Sequence, residues 1–250
     1  MTDTQTIAEV FSSGSILLID KPLNWTSFDV IKKVKSLLRY RLGLKKIKVG
    51  HAGTLDPLAT GLLIICTGKK TKEIEKFQAQ KKAYTGSFFV GATTPSSDLE
   101  TQPDQNFPTE HITQDLLAMA CEKLSGEILQ IPPLFSAKKI EGERAYNHAR
   151  RGDDIVLAAN KVCVHQFELT RIALPEVDFR VVCSKGTYIR ALARDFGQEV
   201  QSGAYLKSLR RTHIGDFCVD KAWQMSHLED FFREETPWQL PDFENPCQTK

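Results

Sequence analysis

The chain has 250 residues, 41% of them apolar and 26% charged, enough to bury the core of one large domain or two smaller ones. Its 33 basic and 31 acidic side chains leave a formal charge of +2, so total charge alone does not single out a polyanion-binding protein. Met1-Thr-Asp-Thr-Gln has neither a basic start nor an apolar core, and no apolar run approaches bilayer length, so a cytoplasmic protein without a membrane span is expected. Residues 1 to 14 are polar and lead into the apolar run Ile16 to Ile19, which reads as a strand ending at Asp20-Lys21-Pro22. Val30, Ile31, Val34, Leu37 and Leu38 then repeat at helical spacing, with Thr26 or Ser27 placed to cap the first amides and Asp29 near the positive end.

An irregular segment follows, Gly50-His-Ala-Gly-Thr-Leu-Asp-Pro-Leu-Ala-Thr-Gly61, and then a strand from Leu62 to Cys66. Strand character returns at 84 to 92, and a connection rich in Ser, Thr, Pro and Asp runs to about Glu110. The spacing of Leu116, Leu117, Ala120, Cys121 and Leu124 predicts a helix from Thr113 to Leu124. Residues 131 to 152 are basic and broken by turn formers, as an excursion from a core would be. Strands at 161 to 170, 178 to 184 and about 213 to 219, with a helix at about 188 to 200, complete an order without strict alternation, and the fold class is α+β with a mixed or antiparallel sheet.

Charge is distributed unevenly. No acid separates Asp29 from Asp56, yet eight Lys and Arg fall between them, and a second basic group (Lys138, Lys139, Arg144, Arg150, Arg151) lies mid-chain. Such clusters suit either a polyanion-binding face or solvated helix faces. The six cysteines are scattered without the close pairs that zinc or dithiol chemistry requires and are expected to be reduced thiols. Gly68-Lys-Lys-Thr71 lacks the first glycine of a phosphate-binding P-loop, and no dinucleotide, zinc-protease or serine-elbow motif occurs, so neither metal nor cofactor is expected.

Two places can carry chemistry. Asp56 stands in the Gly/Pro-rich loop, where an Asp before Pro is either a turn initiator or a carboxylate held on display. His51 in the same loop has the plain reading of a surface polar group. In Ser184-Lys-Gly-Thr-Tyr-Ile-Arg190 a strand ends and a helix begins, which puts Arg190 in a first turn where the macrodipole disfavours a cation. Either Arg190 is simply exposed, or it has an anionic partner such as a phosphate or the Asp56 carboxylate.

The loop Gly50 to Gly61 resembles the active-site motif of the TruB family of tRNA pseudouridine synthases. Lys21-Pro22 with Thr26-Ser27, Lys81-Lys82-Ala83-Tyr84, Pro132-Pro133-Leu-Phe-Ser-Ala-Lys138 with Gly142, Arg144-Ala-Tyr146 and Ala149-Arg150, Cys183 to Arg190, and Leu209-Arg-Arg-Thr212 match further motifs of that family in order, spanning residues 16 to about 217. The resemblance implies a pseudouridine synthase fold with a mixed, mostly antiparallel central sheet, a catalytic domain over 1–220 with an RNA-gripping insertion at about 131–152, and a short tail over 221–250 in place of a complete PUA domain. It makes Asp56 the nucleophile, Arg190 its ion-pair partner and Tyr84 the residue that stacks on the base. His51, Tyr188 and Leu209 would line the pocket or fill the space left by the flipped nucleotide, with Gly53 and Thr54 in the substrate-binding loop and Lys21 and Pro22 supporting it.

The implied partner is the T-arm of tRNA, gripped through phosphates by the basic segments at 30 to 48 and 138 to 151, by a monomer using no small-molecule cofactor. Asn24 stands where the first motif usually has glycine, and the stretch Thr94 to Glu100 lacks a glycine expected after its acidic residue. Three alternatives accompany this expectation: a non-catalytic tRNA-folding chaperone with the same grip, a nucleic-acid glycosylase that also flips a base, and a guide-RNA-dependent synthase.

Overall fold

The computed structural model describes residues 4–136, 139–140, 143–144, 151 and 157–233. Most of the basic insertion, together with Trp238 and Cys247, lies outside them. The chain forms two compact units, the first from residues 1–82 and 210–250, the second from 83–209.

In the first unit, strand Ile16–Lys21 pairs antiparallel with Ala59–Thr67 and parallel with Trp223–Gln224, while the short strand Val49–His51 pairs with Ala59–Thr67 in the register His51 opposite Ile65. Alternate side chains go to opposite faces. Leu17, Ile19, Leu63 and Ile65 meet Ile7 and Phe11 of helix Thr4–Ser13, Val30, Val34 and Leu38 of helix Ser27–Leu42, and Leu228 and Phe232 of helix Met225–Arg233. Ile16, Leu18, Leu62 and Ile64 meet Phe77 and Ile214 on the other side. With both faces covered, the run Leu62 to Cys66 is apolar without interruption.

The Thr4–Ser13 helix is short and buries only Ile7 and Phe11 fully, with Ala8 packed beside them, so its polar flanks mask the apolar edge in the sequence. Helix Ser27–Leu42 begins as its sequence directs: the Thr26 hydroxyl accepts from the Asp29 amide at 3.0 Å while the Asp29 carboxylate accepts from the Thr26 amide at 3.0 Å. This reciprocal cap satisfies two amides that the helix itself leaves unpaired. Thr26→Ala is therefore expected to lower stability by about 1 kcal/mol in urea unfolding, and an unchanged midpoint would remove the cap from the account.

The second unit has the strand order Lys82–Val90, Glu176–Cys183, Asn160–Ala173, Gly126–Gln130, with the hairpin register Ala173 opposite Glu176. Val177, Phe179, Val181 and Cys183 alternate inward, and Phe88 stacks on Phe179 with centroids 4.2 Å apart. Helix Ile189–Glu199 covers this face with Leu192 and Phe196, and Gly197 is required there because a Cβ would lie 2.3 Å from the Ala204 amide nitrogen.

Both units combine helices with a mixed, mostly antiparallel sheet, the expected α+β class. The strand expected at about 213 starts nine residues earlier, at Ala204: Ala204, Tyr205 and Leu206 are buried together, and the run of polar residues from Lys207 onward hides the strand pattern in the sequence. Cys66, Cys121, Cys163 and Cys183 are free thiols, as expected of them. Among the described residues no helix is long and apolar enough to cross a membrane.

Candidate active site

Five of the nine expected site residues, Lys21, His51, Gly53, Thr54 and Asp56, belong to the first unit and gather at the turn between strands Val49–His51 and Ala59–Thr67. That turn is tied down on every side. Ser27 uses its hydroxyl twice, accepting from the Leu55 amide at 2.9 Å and donating to the Leu55 carbonyl at 3.2 Å. The Asp56 carbonyl accepts from the Ala59 amide at 3.0 Å, and the Pro57 carbonyl accepts from the Asn24 amide at 2.9 Å. Asn24 itself has φ of 64°, a left-handed conformation that asparagine tolerates better than most residues, which explains how it replaces a glycine here.

Two buried cations hold the turn from within. Lys21 has no exposed surface, and its ammonium donates to the carbonyls of Pro22, Trp25 and Pro57 at 2.9, 2.6 and 3.3 Å. Burial pushes its pKa down to about 8, an effect opposed by the negative charge of Asp56 and reinforced by Arg211. Arg211, 1% exposed, donates from Nε to the Leu62 carbonyl at 2.8 Å and from its two terminal nitrogens to the carbonyls of Thr54 at 3.4 Å and Gly53 at 3.1 Å.

His51 is half-buried rather than a surface group. Burial holds its pKa below the usual value, Arg211 adds to the depression and the Gly53 backbone partly offsets it, so the ring is neutral at neutral pH. Its Nδ1 is enclosed without closing a hydrogen bond. Asp56 is half-exposed, so a carboxylate is presented from a backbone that does not move with it.

The other four residues lie in the second unit. Tyr84, buried on strand Lys82–Val90, and Leu209, on Ala204–Ile214, stand on neighbouring strands. Tyr188 directly precedes helix Ile189–Glu199, where the Gln130 side chain grips it at both ends: its oxygen accepts from the Tyr188 amide at 2.8 Å and its nitrogen donates to the Tyr188 carbonyl at 3.2 Å.

Arg190 is buried, not exposed. Its Nε is 3.5 Å from the Asp98 carboxylate, and its terminal nitrogens donate to the carbonyls of Ser96 at 3.4 Å and Phe135 at 2.8 Å. Asp98 is itself buried and accepts from the Glu100 amide at 3.0 Å.

Arg211, Gln130 and Asp98 are supporting neighbours that were not among the expected site residues. Arg211 and Asp98 lie inside stretches that resemble family motifs, Leu209 to Thr212 and Thr94 to Glu100, but nothing local shows what they hold. Gln130 had no signal, because a buried polar side chain on a strand is spaced like an exposed one.

The candidate site of the first unit is thus a loop that displays one carboxylate, with two buried cations holding its backbone. The model of the TruB family pseudouridylate synthase N-terminal domain matches residues 39–189, and the chain belongs to that family. The tRNA pseudouridine synthase B of Flavobacterium johnsoniae is 58% identical over 223 residues, covering 89% of this chain and 97% of the relative. That of Phocaeicola vulgatus is 56% identical over 225 residues, covering 90% and 96%. A chain of the crystal structure of a Cbf5-Nop10-Gar1 complex superposes with a TM-score of 0.69 at 26% identity; the match covers 90% of this chain but only 56% of that one.

Proposed function

We propose that this protein converts a uridine in the T-loop of tRNA, position 55, to pseudouridine, working as a cytoplasmic monomer on the T-arm without a cofactor. The observation that carries the reading is the Asp56 loop, whose backbone is fixed through Ser27, Lys21 and Arg211 while its carboxylate stays half-exposed. The tRNA pseudouridine synthase B relatives, matched over nearly their whole length, support tRNA as the substrate.

The reaction breaks the N1 to C1′ bond, turns the uracil and joins C5 to C1′; C5 loses a proton and N1 gains one, so no group or electron is exchanged overall. Such chemistry needs a base taken out of its stack and held while detached. Asp56 acts either on C1′ as a nucleophile or on the 2′ proton. Tyr84 offers the π-face for the base, and His51, Tyr188 and Leu209, with the backbone at Gly53 and Thr54, receive the nucleotide. Arg190 supplies a fixed positive charge to the site.

Arg190→Lys is expected to lower kcat at least about tenfold, because a point charge cannot replace a fork whose nitrogens reach Asp98, Ser96 and Phe135. Wild-type kcat in that variant would dismiss the role. The reading as a whole is tested by incubating the protein with unmodified tRNA transcript and mapping pseudouridine by carbodiimide chemistry. Modification of the T-loop uridine supports it; free uracil points to a glycosylase, and tight binding without modification to an RNA chaperone.

A further inference from the structure

Lys35, Arg39, Lys45, Lys46, Lys69 and Lys72 are exposed on the first unit, and none has a carboxylate partner among the described residues. Of the acids close to them in sequence, Asp29 is engaged with Thr26 and Lys32 and Glu73 with Lys70, so the exposed Glu75 is the one nearby acid not so engaged. The six cations line two concavities. One, of about 490 Å³, lies between the end of helix Ser27–Leu42 and the turn Gly68–Glu73; the other, of about 430 Å³, follows the exposed face of that helix. Leu44, Lys45 and Ile47 border both, so the two adjoin, and together they make a basic trough along this surface.

Concentrated positive charge that outweighs the nearby counter-charge repels itself, and a bound polyanion relieves that repulsion. Tyr40, 75% exposed, stands beside Arg39 at 5.5 Å and adds a π-face at the trough's edge. The trough has a defined relation to the candidate site. Lys48, on its wall, directly precedes strand Val49–His51, so it lies about 10 Å along the chain from His51. Away from that end, the helix carries its basic residues from Arg41 back to Lys32, about 14 Å.

We propose that this trough binds the phosphodiester backbone of the RNA flanking the reacting uridine, an inference that rests on the tRNA reading above. Its concavity suits a strand more than a planar lipid surface, and it shares no residue with the nine site positions.

The test titrates unmodified tRNA transcript at several salt concentrations with wild type, with Lys35→Ala, Arg39→Ala, Lys45→Ala and Lys46→Ala combined, and with a Lys35→Arg, Lys45→Arg, Lys46→Arg variant. The alanine variant is expected to bind at least roughly tenfold more weakly, with a slope of log K against log salt shallower by about 3, and the arginine variant to match wild type. A Lys45→Ala, Lys46→Ala pair, confined to the loop, should show about half the slope change and guards against misfolding of the helix. Equal slopes in wild type and alanine variants overturn the proposal. So does a loss of binding to phosphatidylserine vesicles with RNA affinity intact, which would make the trough a membrane contact. Pseudouridine formation by wild type in the same samples is read separately: a changed slope with no pseudouridine keeps the trough as an RNA site and removes the reading.

Discussion

Asp56→Asn is expected to lower turnover by at least about 10⁴-fold while tRNA affinity stays within roughly threefold. The side chain keeps its shape and loses only its charge and nucleophilicity. The loop does not need the carboxylate to hold its course, because its backbone is fixed at Leu55 by Ser27, at Pro57 by Lys21 and Asn24, and at Gly53 and Thr54 by Arg211. Binding and chemistry are thus separable at this position. Single-turnover conversion and filter binding on the same preparation check the separation. Residual turnover above about a hundredth of wild type would take the nucleophile role from Asp56.

Arg211→Ala should have the largest effect on stability, a loss of roughly 3–5 kcal/mol in urea unfolding. Three carbonyls, of Leu62, Thr54 and Gly53, would lose a charged donor in a place where water has little access, and a void of guanidinium size would open beneath them. The surroundings cannot close that void easily. Gly61 already packs so tightly on this residue's backbone that a Cβ there would lie 2.3 Å from the Arg211 carbonyl oxygen. A loss under about 1 kcal/mol would mean the carbonyls find other donors and the guanidinium is not the loop's internal post.

The elements that could be read from sequence are those whose patterning is strong and local. Helix Ser27–Leu42 announced itself by spacing and by Thr26 and Asp29; the Glu176–Cys183 strand did so by alternation. Helix Thr4–Ser13 stayed hidden because its apolar edge is only a few residues long and is flanked by polar ones. The loop carrying Asp56 was legible through its glycines and proline, but its supports were not. The hydrogen bond between Arg211 and Leu62 joins residues 149 positions apart, and nothing local marks it. The carboxylate on Arg190 illustrates the same limit: Asp98 becomes its neighbour only once the second unit folds.

The way the chain is threaded also sets an order of events. The second unit is continuous in sequence, whereas the first is split around it and needs Arg211, Leu228 and Phe232 to complete its loop support and its core. On a ribosome, the nested unit can close its sheet as soon as residue 209 emerges, while the N-terminal segment waits with Leu17, Ile19, Leu63 and Ile65 only partly covered. The loop that presents Asp56 is accordingly among the last parts to become rigid, so a nascent chain would hold no organised active site until its final segments arrive.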